Sequence, residues 1–299
     1  KLLEENKKVI GIDNLDPYYD VTIKENNLKL LAHPNFQFFQ TSILDLVEMK
    51  KIFEQTKPQI IVHLAAKAGV RPSLLNPAAY EQTNILGTMN LLKLAHQYNI
   101  QKFISASSSS VYGENKKIPF SETDEVNDPM SVYAATKRAG ELLCKTYNHL
   151  YGIPMVCLRF FTVYGPRGRP DMAVYKFTKN IHEGKPIDVF GDGSMQRDYT
   201  YVDDIVQGIQ GAMDYSKTPF EIFNLGNNKP NTINQLVSCI EQSLEKKAKI
   251  NYLPLQAGDV PITCADISKA QKYLHFTPKT PLKEGIEHFV EWYLESAVK

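Results

Sequence analysis

The sequence predicts an α/β protein, a doubly wound parallel sheet followed by a smaller α/β domain. Two observations predict it. Short runs rich in Val and Ile alternate with longer stretches of helical period as far as residue 164, the pattern of a parallel sheet covered on both faces. From Gly165 onward Gly and Pro become frequent and the elements shorten, so a second domain is drawn over 165–299 after a first over 1–164. The first strand is expected over 8–13, where Val9-Ile10-Gly11-Ile12 is closed by Asp13, and further strands over 36–40, 59–64, 102–107 and 155–160. Helices are expected over 46–56, 77–98 and 133–151; the last follows the start signal Pro129-Met130-Ser131 and stops before Gly152. Beyond Gly165, strands over 186–190, 198–201 and 221–225 lose the alternation with long helices, and 221–225 is expected to return to the first domain. The opening Lys1-Leu2-Leu3-Glu4-Glu5-Asn6-Lys7-Lys8 reads as the polar end of a helix already under way.

Composition narrows the function. With 299 residues, 43% hydrophobic and 22% charged, the chain is of ordinary globular make-up and long enough for two compact units. Lys and Arg number 34 against 33 Asp and Glu, so no global field draws the protein to nucleic acid or to anionic lipid. The longest apolar stretch, 60–66, is interrupted by His63 and is far short of the roughly 20 residues that span a bilayer. No apolar block of about 7–15 residues follows the N-terminal charges as a secretory leader would require. Cys144, Cys157, Cys239 and Cys264 lie far apart without a CxxC pair, which favours buried free thiols and a reducing, cytoplasmic setting. The histidines show no ligand spacing with acids, so no metal site is expected.

Ligands of open α/β sheets bind beyond the carboxyl ends of the strands, so those positions carry the chemistry. Asp13 is an acid at such an end, suited to the ribose hydroxyls of a dinucleotide, although an Asp there can equally cap a turn. His63-Leu64-Ala65-Ala66 closes another strand in small residues that let a backbone approach a ligand closely. The strongest local signal is Tyr133-Ala134-Ala135-Thr136-Lys137 on the last long helix, preceded by Ser107-Ser108-Ser109-Ser110 at a strand end. Residues four apart share a helix face, so the Lys137 ammonium lies near the Tyr133 phenol and favours its phenolate, while a serine hydroxyl orients a substrate alcohol or carbonyl.

On these residues the chain resembles an extended short-chain dehydrogenase/reductase, and within that family the UDP-glucuronate 4-epimerases. The matching segments are Ala65 to Arg71, Ser107 to Gly113, Tyr133 to Lys137, Arg159 to Met172, Arg197 to Asp204 and Gly258-Asp259-Val260-Pro261. The resemblance implies a Rossmann-type fold, a tightly held NAD and a UDP-sugar substrate. Carbon 4 of the sugar is oxidised to a ketone and reduced from the opposite face, without net redox change. Tyr133 would be the base and then the acid, Lys137 its electrostatic partner and ribose anchor, and Ser108 the hydroxyl on the reacting oxygen. Asp13, Asn14, Ser42, Ile43, Leu64, Ala65, Ala66, Lys67, Asn84 and Phe161 would complete the NAD site with Tyr133 and Lys137. Arg71, Ser109, Ser110, Thr162, Arg169, Val189, Phe190, Arg197 and Asp259 would hold the sugar nucleotide. The resemblance further implies a homodimer formed through the two long helices.

Two discriminating positions and two departures refine that picture. Dehydratases and decarboxylating relatives carry acidic residues directly before Val-Tyr-Gly, where this chain has Ser109 and Ser110, so epimerisation is the chemistry left. Thr162 stands where the glucose and galactose epimerases typically have Asn and the glucuronate enzymes have Thr; with Ser109, Ser110 and Arg169 it could restrain a carboxylate whose 4-keto form tends to lose carbon dioxide. Arg169 also suits a loop salt bridge, Arg197 a pairing with Asp203 or Asp204, and Asp259 a turn. Ser42 replaces the Asp usual against the adenine amino group. The family's first strand and glycine loop have no counterpart after Lys1; about 20 residues, half a βαβ unit, are expected upstream, and without them NAD binding and stability should suffer. The rival readings are an epimerase of UDP-glucose or UDP-N-acetylglucosamine, and a catalytically silent nucleotide-sugar-binding relative.

Overall fold

A computed structural model describes residues 1–255 and 260–297. In chain order the elements are β1 (Val9–Asp13), α1 (Val21–Lys29), β2 (Phe36–Gln40), α2 (Leu46–Thr56), β3 (Ile60–His63), α3 (Val70–Leu75), α4 (Pro77–Tyr80), a π-helical turn (Glu81–Leu86), α5 (Gly87–Gln97), β4 (Lys102–Ser108), a 3-10 turn (Ser109–Tyr112), α6 (Val132–Tyr151) and β5 (Met155–Phe160). There follow β6 (Thr162–Tyr164), α7 (Ala173–His182), β7 (Pro186–Phe190), β8 (Gln196–Arg197), β9 (Tyr199–Tyr201), α8 (Val202–Asp214), β10 (Phe220–Leu225), β11 (Asn231–Thr232), α9 (Ile233–Leu244), β12 (Lys249–Leu253), α10 (Ser268–Leu274) and α11 (Leu282–Ala297). The chain divides into two compact units. One comprises Lys1–Val111, Asp128–Leu158 and Ala212–Ile222; the other Tyr112–Asn127, Arg159–Gly211 and Phe223–Lys299. The division therefore interleaves more deeply than a single boundary at 164, and only the first half of β10 counts with the first unit.

The first unit is built on parallel strands. β3 pairs with β4 from Ile60↔Lys102 to His63↔Ser105 within a sheet of order β10-β5-β4-β3, and β1 pairs with β2 in a separate ladder. Its core joins Leu92 and Leu94 of α5, Phe103 of β4, Cys144 of α6 and Cys157 of β5, all 0% exposed. Helix ends follow local chemistry. Asp45 caps α2 by accepting the Glu48 N–H at 3.0 Å; Ser131 caps α6 by accepting the Ala134 N–H at 3.1 Å; Gly152 closes α6 at φ 68°. The stretch expected as a helix over 77–98 is one helical path interrupted by the π turn, whose wider i→i+5 bonding inserts a residue and re-aims the side chains around it. Gly87, which opens α5, lets the helix approach the Ile43 side chain: a Cβ there would lie 2.4 Å from Ile43 Cδ1. Residues 1–7 form no assigned helix but carry a helix-closing pattern, with Lys7 N–H on Leu2 O, Asn6 N–H on Leu3 O, and Asn6 at φ 56°.

The second unit packs short ladders against helices. β7 runs parallel to β12, β6 parallel to β9, and β8 antiparallel to β11. Phe177 and Ile181 of α7, Ile240 of α9, and Ile286 and Phe289 of α11 form its core. α9 begins with a capping box between Thr232 and Gln235. Among the described residues no helix is long and apolar enough to cross a membrane, and no group of three or more His, Cys, Asp or Glu is placed to hold a metal ion.

Candidate active site

The carboxyl end of β4 and the first two turns of α6 carry the residues expected to move the proton. The Ser131 cap fixes where α6 starts, so Tyr133 and Lys137 fall one turn apart on one face. Lys137 Nζ lies 5.9 Å from the centroid of the Tyr133 ring and donates to the carbonyl of Ala106 at 2.9 Å. Tyr80 meets the Tyr133 ring edge-on at 6.2 Å. Ser108 Oγ accepts from the Ser110 N–H at 3.2 Å and from the Ser110 hydroxyl at 3.0 Å, so its own O–H is directed elsewhere as a donor. Ser109 is half-buried in the 3-10 turn.

Loss of water around the Lys137 amine lowers its pKa to about 8, opposed in part by the nearby Cys157. The sign of the pH effect follows. The unfolded chain, with an amine near 10.5, binds more protons than the native one between about pH 8 and 10.5, so this group makes stability rise with pH across that window. Denaturant unfolding of the parent and of Lys137→Met at pH 7.5, 8.5 and 9.5 checks it; the parent is expected to gain on the variant as pH rises, and a constant difference would refute the shift.

Beside Lys137 a narrow crevice of about 10 Å³ is lined by His63, Ala65, Ala66, Asn84, Ala106 and Gly140, among others. Small side chains dominate its wall. His63 is buried; loss of solvent, then the Lys137 charge, depress its pKa to about 3, so the ring is neutral and bonds Thr88 Oγ1 at 2.9 Å. Asn84, in the π turn, bonds both backbone groups of Lys67 at 2.8 and 2.9 Å and donates to Thr136 Oγ1 at 3.0 Å. It thereby ties the loop after β3 to α6. Leu64 and Ala65 are exposed on that loop, and the Lys67 ammonium pairs with Asp16 at 2.7 Å. The Asp16 carboxyl is half-buried, which raises its pKa, but the Lys67 hydrogen bond and charge bring it below the ordinary value.

Other sequence candidates show their plainer contacts. Asp13, at the end of β1, accepts the Leu15 N–H at 2.7 Å and lies 3.7 Å from Lys24 Nζ, the turn role that competes with a ribose contact. Asn14 accepts the Asp16 N–H and Ser42 Oγ accepts the Leu44 N–H, each at 3.2 Å; Ile43 is buried, and its carbonyl accepts from Asn90. Arg71 is exposed on α3.

The second unit holds the remaining candidates. Thr162 opens β6 with its N–H on Asp198 O at 3.0 Å, and the neighbouring Phe161 is buried with its N–H on Leu225 O at 3.1 Å. Arg169 makes a two-point salt bridge to Asp171, 3.0 and 2.7 Å, so the loop pairing read as its alternative role is present. Arg197 donates to the carbonyls of Gln196 and Val260, both at 2.8 Å. Asp204, an acid weighed as its partner, instead caps the N–H groups of Lys279 and Thr280. Val189 is buried and Phe190 half-buried on β7. Asp259 lies outside the described residues.

Sequence reading missed three polar centres. Ser107 donates to Glu141 Oε1 at 2.6 Å, and Arg138 holds Glu141 Oε2 at 2.9 Å. His63 and Thr88 pair inside the crevice wall. Asp198 is fully buried and gathers several backbone donors. The first had a signal: Glu141 stands four residues beyond Lys137, on the same helix face.

Comparison with known proteins points to one family. The profile of the NAD dependent epimerase/dehydratase family matches residues 1–226. A UDP-glucuronate 4-epimerase of Thermodesulfobacterium geofontis is 46% identical over 297 residues, 99% of this chain and 91% of the relative. The crystal structure of a Bacillus cereus UDP-glucuronic acid 4-epimerase in complex with UDP-glucuronic acid and NAD superposes with a TM-score of 0.91 at 36% identity, covering 99% of this chain and 93% of that one. A Thermotoga maritima UDP-glucose 4-epimerase with UDP-glucose gives a TM-score of 0.90 at 34% identity, covering 99% and 94%.

Proposed function

The chain belongs to the NAD-dependent epimerase/dehydratase family, and from that premise we propose that it inverts carbon 4 of UDP-glucuronate to give UDP-galacturonate. That it is an NAD-dependent epimerase of a UDP-sugar follows from the family and from its relatives on both the sequence and structure side. The finer choice of sugar rests on Thr162, in the position where the glucuronate enzymes have Thr, and on the 46% identity to such an enzyme over nearly the whole chain.

The residues present suit NAD. The crevice wall at Ala65, Ala66 and Ala106 is made of small side chains, and a half-buried amine, Lys137, stands at its edge. Lys137 and Tyr133 would hold the nicotinamide ribose, Asp13 and Asn14 the adenosine ribose, Ser42 and Ile43 the adenine, with Leu64 to Lys67, Asn84 and Phe161 lining the rest. When bound, NAD supplies a two-electron acceptor that takes the hydrogen on carbon 4 and gives it back. Tyr133 takes the proton of the 4-hydroxyl as the ketone forms and returns it when the alcohol is restored, so one group serves as base and then acid. Lys137, 5.9 Å from the ring, favours the phenolate that the first step requires. Ser108 donates to the oxygen on carbon 4 and holds it in line with the phenol. Ser109 and Ser110 offer hydroxyls rather than a carboxyl group, so the ketone meets no positioned acid or base at its neighbouring carbons. Arg197 would carry the diphosphate, Val189, Phe190 and Asp259 the uridine, and Thr162, Arg169 and Arg71 the sugar carboxylate. The same reading pairs two copies through α5 and α6, where Leu142 and Leu150 are large apolar side chains left exposed.

Incubating the NAD-loaded protein separately with UDP-glucuronate and UDP-glucose, with chromatography of the products, tests the sugar. Turnover of UDP-glucuronate is expected to exceed that of UDP-glucose by about a hundredfold in kcat/KM, the discrimination one charged contact can give. Turnover of the neutral sugar alone would overturn the carboxylate assignment.

A further inference from the structure

We infer that Glu141, which touches neither substrate nor cofactor in the mechanism above, is a positioning residue that clamps the end of β4 to α6 through Ser107 and so keeps Ser108 in register with Tyr133 and Lys137. The inference rests on the epimerase reading and deepens it. Glu141 and Ser107 are 2% and 4% exposed, and the Ser107 hydroxyl donates to Glu141 Oε1 at 2.6 Å. A carboxylate so buried needs a charge partner, and Arg138 supplies it at 2.9 Å on the other oxygen. One turn earlier on the same helix, Lys137 Nζ reaches the carbonyl of Ala106 at 2.9 Å. Two successive residues of β4 are thus tied to two successive turns of α6, one through a backbone carbonyl and one through a side-chain hydroxyl.

The next residue in the strand is Ser108. Its backbone follows directly from the Ala106 and Ser107 ties to α6, and its hydroxyl accepts from that of Ser110 at 3.0 Å. A helix and a strand joined at one point can still pivot; joined at two, they cannot slide or tilt without breaking a bond. Charge-assisted bonds in a low-dielectric setting are the strong and directional kind, which suits them to this task. Misplacement of a reacting group by a fraction of an ångström slows chemistry more than it weakens binding, since the substrate's affinity comes from its remote nucleotide.

The test separates positioning from mere support. Removing the Glu141 carboxylate also strips Arg138 of this acceptor, so the cleaner variant is Ser107→Ala, which leaves the Glu141 and Arg138 pair intact. In the full NAD-loaded chain it is expected to lower kcat about tenfold while KM for the UDP-sugar stays within about twofold. Ser107→Thr, which keeps the hydroxyl on a side chain that strands accept, should restore most of kcat. Unchanged kcat per folded molecule with a lowered unfolding midpoint, or a loss carried mainly by KM, would overturn the inference. Failure of the unaltered chain to epimerise any UDP-sugar would instead strike at the epimerase reading, which keeps the two failures apart.

Discussion

Tyr133→Phe is expected to lower kcat by about a thousandfold, the middle of the range that one positioned acid–base group contributes. The change removes a single oxygen. The ring still meets Tyr80 edge-on, and the Ser131 cap and the Lys137 bond to Ala106 do not involve the phenol. Fold and nucleotide binding should therefore survive: the unfolding midpoint should shift by no more than about 2 °C, and UDP affinity measured by calorimetry should stay within about twofold. The loss should fall on kcat and kcat/KM alike, the mark of an interaction made in the transition state. Lys137→Met acts on the same proton indirectly, by removing the ammonium near the phenol, and should also reduce affinity for NAD. A Phe variant with more than about a tenth of parental kcat would remove Tyr133 from the chemistry.

How much of this was legible depends on whether the information was local. The YxxxK pair could be read because helix period alone sets its geometry, and a cap at Ser131 and a stop at Gly152 fix the helix. β2, α2 and β5 fall on their expected bounds because apolar runs and caps coincide there. The π turn was illegible: a helix pattern cannot show that Asn84 spends its amide on the backbone of Lys67, 17 residues away. Beyond the expected return near 221, the interleaving of the units was hidden for the same reason, since 112–127 and the stretch from 212 change sides through contacts distant in sequence. Motif matching named Arg197 yet passed over the next residue, Asp198, whose partners come from three other segments. Arg169 shows the opposite limit. A motif assigns it to the substrate, whereas Asp171, two residues on, offers a two-point salt bridge that an Arg in that loop would take.

Asp198→Ala should be the most destabilising of these changes, by about 3–5 kcal/mol, because it leaves several buried donors facing nothing. The carboxylate accepts the N–H groups of Asn227 at 2.6 Å, Asn228 at 3.1 Å and Ala265 at 2.8 Å, and lies 3.3 Å from Thr200 Oγ1. Burial pushes its pKa up and these donors only partly offset that rise; removing the acceptor exposes each of them to the full cost of an unmade bond. Nor can the site collapse onto the gap from the Gly226 side: a Cβ on that glycine would already lie 2.5 Å from the Ala265 Cβ. The midpoint of thermal unfolding should fall by roughly 10 °C. The consequence for function follows from chain position. Asp198 O receives the N–H of Thr162, and Asp198 directly follows Arg197, so one buried residue fixes the backbone of two proposed substrate contacts. Below the lowered midpoint the variant should therefore show a raised KM for the UDP-sugar, with kcat affected less, as expected of a lesion in binding. Circular dichroism melts and steady-state kinetics on the same preparation decide it. A midpoint within about 2 °C of the parent would mean that water or a neighbouring side chain replaces the carboxylate, and the argument from buried donors would fail.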